Sequence, residues 1–438
     1  MILNKNGILS NIPAKLTEKL TETGTTERNM LLFAIEGILI TLVNNLVNNN
    51  NNLFASRMNA SDFQLSLVIA LPQFVGMLVL IPGGILTDSM SNKRRMVTLS
   101  LFMLAAFYAV LGFVPFMKEY SLIAFLCLLA LSVAPMTMYN ASWQAYFSDV
   151  VPEESMNRTF SLRTQGTFLI SILAPIVTGV LLSSTDSNDT KIMFHQTFFW
   201  AASLLLILQA LVLKRISGGN VHSPVKTRLH DLKTAVTDLA HNKRFLGFVG
   251  VALFFYLTWQ VDWTLYYIGQ VTYLKLNEVW LSYVSIGGAV VQFLTIGFWS
   301  QMNEKYGVRF PIILGNLGLA FCPASMIIAT SCSAETGPVV FLLLNTLSNF
   351  AFAAVMLNIL QCLLQVIPEK NKTLSIAIYT VLVTFSNAVM PMIGVQVYSA
   401  LGSTKSALQT TFLIIFAFRI VSTGLWTLRW WLLRNEPK

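Results

Sequence analysis

The chain of 438 residues is 55% hydrophobic and only 11% charged. A soluble domain carries about a quarter charged residues, so too little polar surface is left to wrap a water-soluble core of this size. A net charge of +9 would point to nucleic acid in a soluble protein, but in a chain this apolar it must first be tested against membrane topology.

Residues 1–29 are polar and mixed in charge and lack a signal-peptide pattern, so they read as a cytoplasmic tail, with the first span as insertion signal. Apolar stretches follow at 30–55, 62–86, 96–116, 121–147, 159–183 and 193–214, and again at 245–270, 278–302, 309–331, 337–366, 373–400 and 406–433. Each is long enough to cross a hydrocarbon layer of about 30 Å as a helix, which predicts an all-α membrane protein with twelve transmembrane helices. Pro72, Pro175 and Pro391 do not argue against helix, because neighbouring helices satisfy the freed backbone groups.

The first span carries Glu36, then Asn44, Asn45 and a run of five asparagines from Asn48 to Asn52. At about 100° per residue that run covers the whole circumference. Asn44 and Asn48 are expected to line a cavity, and the others to lie at an unwound or interfacial helix end. The fourth span carries Asn140, Trp143 and Gln144, and Arg163 in the fifth sits at a depth from which it could pair with Glu36. In the loop 215–244, Leu229, Leu232, Val236 and Leu239 recur at three- and four-residue steps, as in an amphipathic interfacial helix; a solvated linker is the equal alternative. The seventh span aligns Trp259, Asp262, Trp263 and Tyr266 as an aromatic stripe around a carboxylate, with Gln260 beside it. The tenth carries Asn345, Asn349 and Asn358, and the twelfth carries Arg419.

Basic residues fix the predicted orientation. With the N-terminus cytoplasmic, inner segments hold 23 of the 29 Lys and Arg, outer segments hold five, and Arg419 lies within a span. That bias places both termini in the cytoplasm of a cell membrane, and it accounts for the net charge without nucleic acid.

The chain also repeats itself. Gly84, Asp88, Lys93 and Arg94 follow the second span, and Glu304, Lys305, Gly307 and Arg309 follow the eighth, with Asp88 and Glu304 separated by 216 residues. Pro175 and Pro391 share the same offset, each after a similar loop. The two halves therefore read as six-helix bundles, 30–214 and 245–433, related by a pseudo-two-fold axis along the membrane normal, with 215–244 as linker and 434–438 as a short tail.

On these two loops the sequence resembles the major facilitator superfamily of secondary transporters. The resemblance implies gating loops at both sites, with Asp88 at the start of the eleventh helix and Glu304 at the start of the fifth, each carboxylate stabilising a positive helix end. The alternative is that these charges only set topology. The resemblance also implies a midplane cavity lined by helices one, four, seven and ten, where this sequence spends its amides and aromatics, and it makes the twelfth helix peripheral, with Arg419 as a packing residue. The antiporter pattern of the fifth helix is partial, since Gly166, Pro175 and Gly179 are present but Ala174 replaces the glycine before proline.

The expected function is a monomeric secondary transporter for a small polar solute, by alternating access. The stripe and amides suit a sugar or glycoside, and organic-cation or drug efflux is the second reading. Glu36 and Asp262, with Arg163, are the candidates for proton coupling, and Na+ is the other ion considered. An aromatic belt at headgroup depth is the competing reading of the stripe. Four dispersed histidines and four cysteines show no metal or catalytic spacing, so no cofactor, metal site or enzyme is expected, and the paired halves disfavour a channel.

Overall fold

The computed structural model describes residues 14–90, 92–218, 229–367 and 372–434, all helices and connections. In chain order the α-helices are α1 (Ala14–Leu46), α2 (Asn51–Arg57), α3 (Asp62–Ser89), α4 (Lys93–Leu111), α5 (Ser121–Val150), α6 (Glu153–Ser183), α7 (Asn188–Lys214) and α8 (Leu229–His241). They continue as α9 (Lys243–Gln260), α10 (Trp263–Ile268), α11 (Glu278–Tyr306), α12 (Pro311–Ala320), α13 (Cys322–Ser331), α14 (Gly337–Leu364), α15 (Lys372–Ala400) and α16 (Lys405–Leu432). Among the described residues twelve helical stretches are long and apolar enough to cross a membrane. The end of the bundle that bears α8 and the outer turns of α1 and α16 is the proximal end, and the opposite one is the distal end.

Helix starts are set by short polar residues. Asn92, Ser187, Asn242, Asn277 and Thr404 each accept a hydrogen bond from a backbone N–H in the first turn that follows. α11 stops at Gly307, whose φ of +76° is a conformation that side chains with a Cβ rarely adopt.

Three spans expected as single helices are broken. The first passes through a 3-10 turn at Asn48–Asn50, the seventh opens at Val261 and Asp262 and ends in a π turn at Gly269–Tyr273, and the ninth breaks at Phe321. Each break is satisfied by side chains, because an orphaned carbonyl is costly in a membrane. In the first span Asn50 Nδ2 donates to the carbonyls of Asn45 and Leu46 at 2.9 and 3.1 Å. In the seventh, Arg419 donates to the carbonyls of Thr258 and Trp259. The ninth breaks because Pro323 has no N–H for the carbonyl of Leu319, four residues back. That carbonyl instead accepts from Arg419 Nη1 at 3.0 Å. The first two breaks fall at matching places in the repeat, since α1 ends at Leu46 and α9 at Gln260.

The apolar core divides by half. One cluster runs from Phe33 to Ile216 and includes Phe54, Leu101, Phe125 and Phe199. Two others are built from residues between Leu239 and Trp426, around Phe248 and around Phe412. The halves meet where α3 packs on α15 and α6 on α11, with Phe168 and Phe293 stacked at 4.4 Å. In α8, Leu239 is buried against the second half while Val236 is 47% exposed.

Candidate functional site

A cavity of about 590 Å3 lies between the halves. Most of its wall belongs to the first half: Thr41, Asn44, Asn45 and Asn49 from the first span, Tyr139, Asn140, Trp143 and Gln144 from α5, and Arg163, Thr167 and Ser171 from α6. The second half adds Ser285 and Ala289 of α11.

The asparagines form a ladder rather than a uniform lining. Asn48 Nδ2 donates to Asn44 Oδ1 at 2.8 Å, and Asn49 Nδ2 to Asn45 Oδ1 at 3.0 Å, each one turn apart. Asn48 Oδ1 accepts from the Tyr108 hydroxyl at 3.1 Å, which ties it to α4. Asn44, Asn45 and Asn49 reach the cavity, and Asn48 is not part of its lining.

Glu36 lies behind this wall with no solvent exposure. Its Oε2 accepts from Arg163 Nε at 3.1 Å, and its Oε1 accepts from Gln209 Nε2 at 2.8 Å and from the Tyr139 hydroxyl. A buried carboxylate is tolerated only when paired and hydrogen-bonded, and here α1, α5, α6 and α7 each contribute one member. Arg163 also rests on Trp143, its Cζ 4.3 Å from the ring centroid. Its passage across α1 needs Gly37, where a Cβ would overlap the Arg163 side chain.

On the distal side a second space of about 300 Å3 shares Asn45, Asn49 and Ser285 with the first and is also lined by Asn52, Tyr267 and Gln270. Above it the halves are bonded together. Glu278, at the start of α11, accepts from Lys191 Nζ at 2.9 Å and from Arg57 at the end of α2. Arg57 Nη1 donates to Asn188 at 3.2 Å, and Ser282 Oγ donates to the Pro175 carbonyl at 2.7 Å. Gly179 permits this approach, since a Cβ there would overlap Ser282 and meet the Glu278 carbonyl at 3.1 Å.

The residues singled out in the second half lie elsewhere. Asp262 is turned to α16, where Arg419 Nη2 binds both its oxygens, so the pair is internal to the half and Arg419, 97% buried at a helix junction, packs the bundle as the resemblance implies. Trp259 stacks on Phe255 and meets Trp263 edge-on, and Tyr266 packs against Phe341 and Phe412. Gln260 is buried. Asn345 and Asn349 are joined to each other, and Asn349 to Gln292; Asn358 Nδ2 donates to the Ala354 carbonyl. None of these eight residues lines the cavity between the halves.

At the proximal end the side chain of Asp88 and residues 368–371 lie outside the described residues. Glu304 is exposed and makes no ion pair among the described residues. A Cβ at Gly84 would meet open space. Lys93 opens α4, and Arg94 donates to the carbonyl of Ile216 at 3.1 Å. Lys305 lies over the Tyr306 ring, and Arg309 donates to Gln365 and to the carbonyl of Leu433.

Gln209 and the distal group of Arg57, Lys191 and Glu278 were not expected from sequence. A lone glutamine in an apolar span was the available signal for Gln209. Charges at span margins give none.

No curated protein matches the sequence significantly. Solved structures share its fold. A POT family transporter in complex with a thioalcohol-conjugated peptide superposes with a TM-score of 0.71 at 11% identity, covering 93% of this chain and 97% of that one. A D-xylose-proton symporter gives 0.66 at 16% identity, covering 91% and 96%. A bacterial homologue of the human lysosomal transporter Spinster, inward-facing and occupied, gives 0.64 at 12% identity, covering 93% and 96%. With the Major Facilitator Superfamily model matching residues 29–364 on this twelve-span fold, the chain belongs to the Major Facilitator Superfamily and is a transporter of that family.

Proposed function

We propose that the protein is a proton-coupled secondary transporter that carries a small, hydroxyl-rich solute of the sugar or glycoside kind by rocking its halves about the central cavity. The observation that carries this reading is the amide- and hydroxyl-lined cavity whose wall includes Arg163, held from behind by the buried Glu36. Amides serve both as donors and as acceptors, which suits a ligand whose hydroxyls do the same. Glu36 is the coupling carboxylate, since a proton on it frees Arg163 to move. The drug or organic-cation reading is weaker, because it needs an accessible anion. Asp262 is engaged by Arg419, and Glu36 by three donors.

The distal group of Arg57, Lys191 and Glu278 acts as a latch in this scheme, and the solute leaves the cavity at the proximal end. The count of basic residues supports a cytoplasmic proximal end in a cell membrane, and one chain holds a whole cavity, as a monomeric carrier requires. Counterflow of labelled sugars and sugar acids into proteoliposomes tests the reading. Saturable exchange that responds to an imposed pH gradient is expected; unsaturable flux would make the protein a channel.

A further inference from the structure

Among the described residues, the wall of the central cavity holds one cationic group, Arg163, and no exposed anion to answer it. Arg163 is 18% exposed at its side chain, and only its Nε has a protein acceptor among the described residues. Its Nη1 and Nη2 carry four N–H bonds in one plane. Trp143, against which the guanidinium rests, has its Nε1 buried with no partner. Asn44 has its oxygen occupied by Asn48. The one carboxylate nearby, Glu36, has no exposed surface and three donors on it.

A guanidinium with both terminal nitrogens free matches the two oxygens of a carboxylate, while a lone hydroxyl would leave donors unpaired. We propose that the transported solute is a hydroxylated carboxylic acid, its carboxylate bound by the Arg163 guanidinium that rests on Trp143 and its hydroxyls by the cavity amides. This rests on the transporter reading above and narrows its substrate class.

Charge bookkeeping ties the acid to the proton. A carboxylate beside the Glu36–Arg163 pair adds one negative charge to a low-dielectric site. A proton from solution bonding to Glu36 removes that excess, leaving Arg163 paired with the solute. One acid anion moves with one proton, so transport is electroneutral; a neutral sugar with one proton would be electrogenic.

The test uses purified full-length protein in nanodiscs and proteoliposomes. Phenylglyoxal modifies accessible guanidinium groups, and peptide mass spectrometry follows Arg163. Lactate, gluconate and glucuronate are compared with glucose, sorbitol and glucuronamide, and glucose 6-phosphate distinguishes a phosphate ligand. At least one carboxylate is expected to slow labelling of Arg163 more than fivefold and to show counterflow, with net pH-gradient-driven uptake that ignores a potassium–valinomycin potential, while its neutral counterpart does none of these. Arg163→Lys, which keeps the charge but not the two-nitrogen fork, should lose carboxylate counterflow while remaining monodisperse. Protection or counterflow by neutral solutes alone, or by the phosphate alone, overturns the carboxylate assignment and leaves the transporter reading standing. Counterflow by no solute of any class counts against both.

Discussion

Arg419 and Asp262 form a buried pair in which one guanidinium nitrogen lies 2.8 and 2.7 Å from the two carboxylate oxygens. The other nitrogens of Arg419 take carbonyls released by two helix breaks, in the seventh and ninth spans. One side chain of α16 thereby fastens three spans of the second half to one another. Such a pair is engaged structurally, whatever the depth of its carboxylate in the membrane.

Removing Arg419 leaves a buried carboxylate without its cation and three carbonyls without the guanidinium that they bind. Arg419→Leu is expected to lower stability by about 3–5 kcal/mol, and Asp262→Asn by less, because the carbonyl bonds survive. Melting of the detergent-purified variants checks this. Wild-type melting of Arg419→Leu, together with an altered pH-gradient response in Asp262→Asn, would return Asp262 to the coupling role.

Glu36→Gln keeps the shape of its site and two of its possible hydrogen bonds, but it cannot take up a proton. Exchange in counterflow should persist, while accumulation driven by a one-unit pH gradient, worth about tenfold for one proton, should vanish. Preserved accumulation in this variant would remove Glu36 from the coupling step.

In the proposed scheme the distal group of Arg57, Lys191 and Glu278 biases the conformational equilibrium. Glu278→Gln removes the charge that holds Arg57 and Lys191 and should favour a distal-open state by about 1–3 kcal/mol, or roughly 5- to 150-fold in population. A cysteine at Ser285, which lines both central spaces, reports this through its labelling rate with a membrane-impermeant thiol reagent. An unchanged rate would mean that other contacts keep the distal end shut.

Two glycines should behave in opposite ways. A Cβ at Gly394 would overlap the carbonyl oxygen of Val261 at the break in the seventh span, whereas one at Gly84 would meet nothing. Gly394→Ala should therefore cost more than 1 kcal/mol, as overpacking does, and Gly84→Ala should stay within about 0.5 kcal/mol. Equal melting of the two proteins would contradict the close approach of α15 to the seventh span.

The twelve spans were legible because hydrocarbon thickness sets a length that apolar runs either meet or miss. Glu36 and Arg163 were legible as partners because charge is expensive at their depth, and the asparagine run announced an interrupted helix. The stripe of Trp259, Trp263 and Tyr266 misled for a physical reason: residues at three- and four-residue steps share a helix face, but nothing in the spacing says whether that face meets a cavity or another helix. Arg57 and Glu278 stayed hidden because charges at span ends are routine, and only the approach of α2 to α11 makes them a pair. Pro323 is a local mark of the break at Phe321, but the break at Asp262 has none, and the donor that satisfies both is Arg419 from a distant part of the chain.

The central cavity is lopsided, with Ser285 and Ala289 as the second half's share of its wall. On the proposal that this cavity holds the solute, recognition falls to the first half and the second serves as a braced lever. Divergence among relatives should then be uneven. Changes in the first half would alter what is carried, and changes in the second would alter how fast.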